Sequence, residues 1–396
     1  MKDNLYTYNL IIIFARKIQY NMITYKYKLY KNEKTKHLDN MLREASFVWN
    51  HALALQKRYY SLYGKYVSVY QMQKHFSKRI KPRLLHSQSV QEIIERLDLS
   101  YQRFFKKNAT RPPKFKRAKD FTSFVFKQGG YSLNGNVLTI NKIKKRYKFS
   151  FSRDYEGNIK RVIIKRSKLN EYYLLIVTDA VPQPYEKSHN GAFVGIDFGL
   201  KTYLSLSDST SFNNPQYLKE DLPALRHKSK LLSKTRTKSN NREKRRLELN
   251  RLHENISNKR SDYQWKLAHE LCKKYDYIFI EDLVLTGMTK LWGRKMNDLG
   301  HAGFVDKLQY VSSKYDVTVH KVDRWFASSK TCGCGYVNKS LKLSDREWAC
   351  PECGTVNDRD KNAAENIIRK GISELWSEGK TASAALHACT QESPCL

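Results

Sequence analysis

Two short apolar runs each carry one carboxylate: Phe193-Val194-Gly195-Ile196-Asp197 and Tyr277-Ile278-Phe279-Ile280-Glu281. Runs of this length between turn signals predict buried strands, where an unpaired charge is costly. Gly199 permits a tight turn after Asp197, and Lys201-Thr202-Tyr203-Leu204-Ser205-Leu206 resumes a strand, so a hairpin is expected. Glu281 closes its strand, the place where parallel and mixed sheets put their sites. Asp282 follows it and faces the other way by strand alternation. A third acid-bearing stretch, Asn357-Asp358-Arg359-Asp360-Lys361-Asn362-Ala363-Ala364, runs on to Ile367 and Ile368. Ala364, Ile367 and Ile368 form a helix face that can press closely on a sheet. Asp360 shares that face, whereas Asp358 falls short of it. Taken alone, Asp360 reads equally as a helix cap. A strand Asp, a strand-end Glu and a helix-start Asp together suit hard divalent cations that keep several waters.

The chain holds 73 Lys+Arg against 38 Asp+Glu, a formal charge of +35 over 396 residues. So much positive charge repels itself unless a polyanion neutralises it. Its spread along the whole chain favours nucleic acid over a membrane surface. Hydrophobic residues at 40% exclude disorder throughout. No apolar run approaches the roughly 20 residues of a membrane span. Leu10-Ile11-Ile12-Ile13-Phe14-Ala15 is short for a signal peptide, and residues 1–21 read as an extension ahead of Met22. Of seven cysteines, Cys332, Cys334, Cys350 and Cys353 are spaced as metal ligands in a reducing compartment, not as a disulfide framework. Cys272, Cys389 and Cys395 have no ligand spacing.

Residues 22–30 alternate as a strand. A helix follows, striped by Leu38, Leu42, Ala45, Trp49, Ala52, Leu55 and Tyr59. A second helix is expected over 88–107, striped by Val90, Ile93, Ile94, Leu97, Tyr101, Phe104 and Phe105. From Arg111 short β-like runs alternate with glycine turns, which suggests a small barrel with a helical insertion. Lys114, Phe115, Lys116 and Arg117 interleave charge and aromatic surface as a nucleic-acid groove does, although basic strands are often only a solvated face. Val181-Pro182-Gln183-Pro184 reads as a linker. Residues 222–274 are helical and strongly basic, and Arg226, Arg236, Lys238, Arg242, Arg245, Arg246 and Arg260 are candidate phosphate contacts.

At the level of long ordered segments the chain resembles the transposon-encoded TnpB (OrfB) family, relatives of type V CRISPR effectors. The segments that carry the resemblance include SQSVQEIIERLDLSYQRFFKK (87–107), PPKFKRAKDF (112–121), VGIDFGLKTYLSLSD (194–208), YIFIEDLVLTGM (277–288), VDRWFASSKTC (322–332) and CPECGTVNDRDKNAAENI (350–367). The resemblance implies an α+β multidomain protein. A wedge β-barrel is expected at 22–32 and 108–185, a helical recognition lobe at 33–107, and a RuvC (RNase H-like) α/β nuclease at 190–327 and 357–375. A zinc-ribbon-like, target-nucleic-acid-binding segment (328–356) interrupts the nuclease, and a flexible tail (376–396) ends the chain.

Further implications follow for the site and its partners. Asp197, Glu281 and Asp360 become the catalytic triad holding two Mg²⁺ ions, or Mn²⁺ in substitution. The partners become a guide RNA from the transposon end and a double-stranded DNA target beside a short adjacent motif. Neither a membrane nor a small-molecule substrate is expected, and the implied location is the prokaryotic cytoplasm, on the nucleoid when DNA is bound. A miniature type V CRISPR effector and a nuclease-inactive guided DNA-binding repressor are the alternatives; transposition by strand transfer lacks its usual acid set or nucleophile. Relatives usually place two residues between the first two cysteines, and here Cys332 and Cys334 enclose one. Zinc at a four-thiolate site is expected, with flanking glycines absorbing the shortened spacing; the alternative is a ribbon that has lost its metal.

Overall fold

The computed structural model describes residues 22–377, apart from 182, 200–201, 284–292, 294–295, 297 and 343–344. The expected extension (1–21), Cys389, Cys395 and all of the expected tail beyond 377 lie outside the described residues. The chain divides into two compact units, Met1–Pro182 and Gln183–Leu396. No helix among the described residues is long and apolar enough to cross a membrane.

In the first unit β1 (Ile23–Lys28) is followed by helices α1 (Thr35–Tyr63), α2 (Val69–His75) and α3 (Ser87–Phe105). Strands β2 (Ser123–Phe126), β3 (Tyr131–Asn134), β4 (Val137–Ile140), β5 (Lys145–Lys148), β6 (Ile159–Arg166) and β7 (Tyr172–Thr178) come next. They form an antiparallel sheet of order β1-β7-β6-β2 and a smaller sheet β3-β4-β5. A bridge between Leu29 and Phe149 joins their ends. Both sheets share one core with the helices, in which Tyr27, Phe124, Phe126, Tyr147 and Phe149 are all but completely buried. The α1 stripe buries Leu38, Leu42, Ala45, Trp49 and Ala52, with Leu55 and Tyr59 packed at its margin. Gly64, at φ +63°, ends the helix in the left-handed region that glycine adopts without cost. On α3 the stripe stops at Tyr101. Phe105 is 63% exposed because the helix ends there, and its ring stacks on Tyr101 at the surface instead of entering the core.

The second unit is built on a mixed sheet. Strands β8 (Phe193–Phe198), β9 (Thr202–Leu206), β10 (Ser211–Asn213), β11 (Tyr277–Glu281) and β12 (Thr318–Val322) lie in the order β10-β9-β8-β11-β12. β8 and β9 form an antiparallel hairpin, and β11 runs parallel to both β8 and β12. Helices α4 (Leu222–Lys234) and α5 (Asn240–Lys274) occupy the crossover before β11, and α6 (His301–Tyr315) the one before β12. α5 and α6 cover one face through Leu267, Leu271, Phe304 and Leu308, packed on Val194, Ile196 and Ile280. α7 (Arg359–Ser377) covers the other through Ile367 and Leu375, with Ile368 beside them, against Phe279 and Phe193. Asp276 fixes the start of both central strands. It pairs with buried Lys187 at 2.6 Å and accepts the Asn190 and Gly191 amides at 2.8 and 2.6 Å. Removing one partner of such a buried pair costs about 3–5 kcal/mol. Short strands β13 (Glu347–Ala349) and β14 (Val356–Asp358) pair ahead of α7.

Candidate active site and nucleic-acid surfaces

Parallel pairing of Ile196 with Ile280 brings the next residue of each strand, Asp197 and Glu281, to the same sheet end. α7 can approach because two residues lack a side chain. A Cβ on Gly195 would stand 2.1 Å from the Ala364 carbonyl oxygen, and one on Gly371 would stand 2.1 Å from the Phe279 ring. Asp360, in the first turn of α7, thereby joins the strand acids. Burial and then the charges of Glu281 and Asp360 push the Asp197 carboxyl up to about 7. Glu281 is also raised, by burial, against a lowering hydrogen bond from the Ser328 hydroxyl. Asp197, its proton affinity raised by two neighbouring carboxylates, sits in a cluster of oxygen donors, and that donor set fits magnesium or manganese.

Neighbouring acids have other work. Asp358 accepts the Lys361 amide at 2.8 Å and so caps α7, while Asp360 faces the cluster and pairs with Arg346 at 3.0 Å. Asp282 accepts a hydrogen bond from Arg324. Asp345 accepts the Lys342 amide at 2.9 Å.

Several residues that shape this site had weak signals in the chain. Asn362 and Asn366 are buried on α7 and donate to backbone carbonyls of the incoming loop. Asn362 reaches Thr331 at 2.8 Å, and Asn366 reaches Ser328 at 2.9 Å and Thr331 at 2.6 Å. Two asparagines four apart on an otherwise apolar face were the available clue. Trp325, 85% exposed, stands on the turn between β12 and Ser328.

The four cysteines converge, with all four sulfurs within 4.8 Å of one another. Cys332 and Cys353 lie 3.6 Å apart, Cys334 and Cys350 3.7 Å. A tetrahedral zinc with bonds of about 2.3 Å separates its sulfurs by about 3.8 Å, so the cluster fits that ion despite the single residue between Cys332 and Cys334. Gly335, at φ +95°, takes up the turn after the shortened pair, its amide reaching the Cys332 carbonyl at 2.9 Å. Cys272 is buried apart from the cluster, in the α5 interface.

Sequence comparisons fall on the same segments. The OrfB_IS605 family, described as "Probable transposase", matches residues 176–291, and the Cas12f1-like TNB domain matches 301–367. A protein of Streptomyces pristinaespiralis provisionally named an RNA-guided DNA endonuclease is 29% identical over 288 residues, 72% of this chain and 71% of its own. Escherichia coli (strain K12) has a relative provisionally named RNA-guided DNA endonuclease InsQ, 27% identical over 83% of this chain and 87% of its own. The chain is similar to the TnpB (OrfB) family over these segments. Its fold resembles that in the solved Cas12f1–sgRNA–target DNA complex, with a TM-score of 0.56 at 14% identity, over 85% of this chain and 83% of that one.

The basic candidates differ among themselves. Arg226, Arg236 and Lys238 are exposed on α4 and the turn after it. Arg242 instead donates to the Leu232 and Thr235 carbonyls, at 2.9 Å each, and closes the turn between α4 and α5. Arg245 pairs with Glu248 at 3.2 Å, and Arg246 pairs with Glu243. Arg260 lies further along α5, beside α6. In the first unit, Lys116 is half-buried with its ammonium 3.7 Å from the Trp49 ring centre, and burial lowers its pKa. Arg117 pairs with Asp120 at 2.6 Å, and Lys114 is exposed.

Proposed function

We propose that the protein is an RNA-guided DNA endonuclease that hydrolyses phosphodiester bonds at Asp197, Glu281 and Asp360. The convergence of three carboxylates from two strands and a facing helix, with Asp197 pushed up to about 7, carries the proposal. Two magnesium ions bound there would supply an activated water and stabilise the leaving oxygen of an in-line displacement. Asp197 and Glu281, on adjacent strands, set the rigid side of that site. Asp360, on α7, closes it from the opposite layer. Ser328 holds the Glu281 carboxylate in one orientation, and exposed Trp325 offers a face on which a base of the bound strand can stack.

On this reading the sheet order β10-β9-β8-β11-β12 is that of a RuvC-type nuclease at 190–327 and 357–375, with a zinc-binding segment at 328–356. The two sheets of the first unit form the wedge barrel at 22–32 and 108–185, around an inserted recognition lobe at 33–107. Retention of all three acids favours a nuclease over a guided repressor.

The test is to sequence RNA that copurifies with the protein and to assay cleavage of a matched plasmid with divalent ion. One transposon-end RNA species and target-dependent cutting are expected. Random RNA, or no cutting with a matched guide, overturns the proposal.

A further inference from the structure

Helix α7 is engaged on two sides. Ala364, Ile367 and Gly371 meet the central sheet, and Asp360 shares their side with the strand acids. Asn362, Asn366 and Arg369 follow one another at spacings of four and three, and so share the adjoining side. There they meet segment 328–332, which leads into the cysteines. Asn366 donates to the Ser328 and Thr331 carbonyls, at 2.9 and 2.6 Å, and Asn362 donates to Thr331 at 2.8 Å. The Arg369 guanidinium lies beside Gly333, where a Cβ would stand 3.0 Å from it.

The segment is short and internally bonded. Ser328–Lys330 form a single 3₁₀ turn, and the Lys330 and Thr331 amides reach the Ala327 carbonyl at 3.0 and 3.2 Å. Its far end enters the cysteine hairpin. The Cys332 amide reaches the Tyr336 carbonyl at 2.8 Å, and the Asn338 amide reaches the Lys330 carbonyl at 2.8 Å. Its near end touches the acids, since the Ser328 hydroxyl donates to Glu281. Five residues thus join a carboxylate of the candidate ion site to a thiolate of the cysteine cluster.

Asparagine is a poor helix former, and a buried amide is costly unless paired. Two of them four apart, both buried and both spent on one segment, fasten that segment to the helix. Groups that orient metal ligands matter nearly as much as the ligands themselves. Two of the three acids depend on this junction. Asp360 stands on α7, and Glu281 is held by a serine whose own carbonyl is held by α7.

We propose that Asn366 is a positioning residue for the divalent-ion site, and that the segment it fastens couples that site to the cysteine cluster. Zinc at the cysteines fixes Cys332, and through segment 328–332 it fixes the Ser328 hydroxyl on Glu281. The acids therefore bind a divalent ion more tightly when zinc is present. Linkage makes the effect reciprocal, so an ion at the acids tightens the hold on zinc by the same factor. The proposal rests on the nuclease reading above and adds what holds its ion site in shape.

The test measures manganese binding to the full chain without nucleic acid, from the electron paramagnetic resonance signal of the free ion. Zinc-loaded wild type is compared with zinc-stripped wild type and with Asn366→Ala and Ser328→Ala, each with and without zinc. Asp197→Ala marks ions bound away from the acids. Zinc content and unfolding temperature are recorded for every sample. Asn366→Ala takes the donor from the Ser328 carbonyl and leaves that of Thr331 with Asn362. Its manganese affinity is expected to fall about tenfold with zinc retained, the lower end of the effect of groups that orient metal ligands. Ser328→Ala keeps the bonds from Asn362 and Asn366 and should show a fall of similar size. Stripping zinc from the wild type should lower manganese affinity by about the same factor, and in Asn366→Ala it should change the affinity little.

An asparagine that serves stability alone would lower the unfolding temperature and leave the ratio of affinities with and without zinc as in wild type. That result overturns the proposal. Wild-type manganese affinity in both zinc-loaded variants overturns it too and leaves the nuclease reading intact. Where Asn366→Ala does not fold, Ser328→Ala decides alone, and unchanged affinity there is the overturning result. A wild type that binds no more manganese than Asp197→Ala removes the ion site itself, and the nuclease reading falls with the proposal.

Discussion

Arg346 donates to both carboxylate oxygens of Asp360, at 3.2 and 3.0 Å, from the segment between the two cysteine pairs. The guanidinium is 59% exposed, so the pair is worth under about 1 kcal/mol. It nevertheless occupies the carboxylate that a divalent ion requires. Arg346→Met should therefore lower the divalent-ion concentration needed for half-maximal cleavage. A raised requirement in a metal titration would place Arg346 on the substrate instead.

Asp358 and Asp360 stand two residues apart and should behave differently. Asp358→Ala removes the cap of α7 and should cost about 1 kcal/mol of stability with cleavage retained. Asp360→Ala should abolish cleavage and leave RNA binding intact, as should Asp197→Ala and Glu281→Ala. Parallel denaturation and cleavage assays decide the matter, and the reverse pattern would exchange the two roles.

The raised carboxyl of Asp197 has a consequence for stability in the absence of metal. Its folded pKa of about 7 lies above the roughly 3.9 of an unfolded Asp, so between these values the folded protein holds a proton that the unfolded chain has lost. Stability falls as pH rises from about 4 to about 7 and is level above, by at most about 4 kcal/mol. Glu281, raised by burial, acts in the same direction. Asp197→Asn should therefore be more stable than wild type above pH 7 without metal, the gap closing toward pH 4. Denaturant melts across pH measure this directly. A gap independent of pH would show that repulsion among the acids is already relieved within the protein.

What the chain revealed and what it hid divide along a physical line. Asp197 and Glu281 were legible because each breaks an apolar strand pattern, and Asp360 because it shares a face with Ala364 and Ile367. The α1 stripe was legible because a period of three to four commits side chains to one side. Phe105 continued the α3 pattern but not the helix, since no periodicity says where a last turn stops. Arg242 could not be told from Arg236 by composition. The difference is a turn that presents the Leu232 and Thr235 carbonyls to one guanidinium alone. Arg260 and Lys307 likewise come to line one cavity only once α5 and α6 pack.

The sulfur geometry is compatible with a bound zinc. The purified protein should contain one zinc per chain, and Cys350→Ser should lose it. β14 leads directly into α7, so that loss should also lower the unfolding temperature and weaken cleavage through Asp360. Elemental analysis beside a melting curve checks both. Normal activity without zinc would show that the shortened Cys332–Cys334 pair no longer serves a metal.

The helices α4 and α5 contain two kinds of cation, and they should separate in a salt titration. Arg226, Arg236 and Lys238 are exposed and available to a phosphate backbone. Arg245 and Arg246 sit in exposed pairs with Glu248 and Glu243, pairs that yield readily to a phosphate because each is worth under about 1 kcal/mol. Arg242 already bonds two backbone carbonyls, and removing it takes the guanidinium from that of Thr235 and leaves that of Leu232 with the Thr235 amide. Arg242→Ala should therefore destabilise the α4–α5 turn, by about 1–3 kcal/mol, and change the salt slope little. Replacing Arg226, Arg236 and Lys238 together with Ala should do the opposite. Affinity for matched guide and target should fall nearly uniformly across sequences, because a phosphate holds no base information. The log–log salt slope should flatten by roughly one unit for each phosphate no longer neutralised. A triple variant whose slope matches wild type would remove α4 from the nucleic-acid surface, and the three acids would still stand as the site of cleavage.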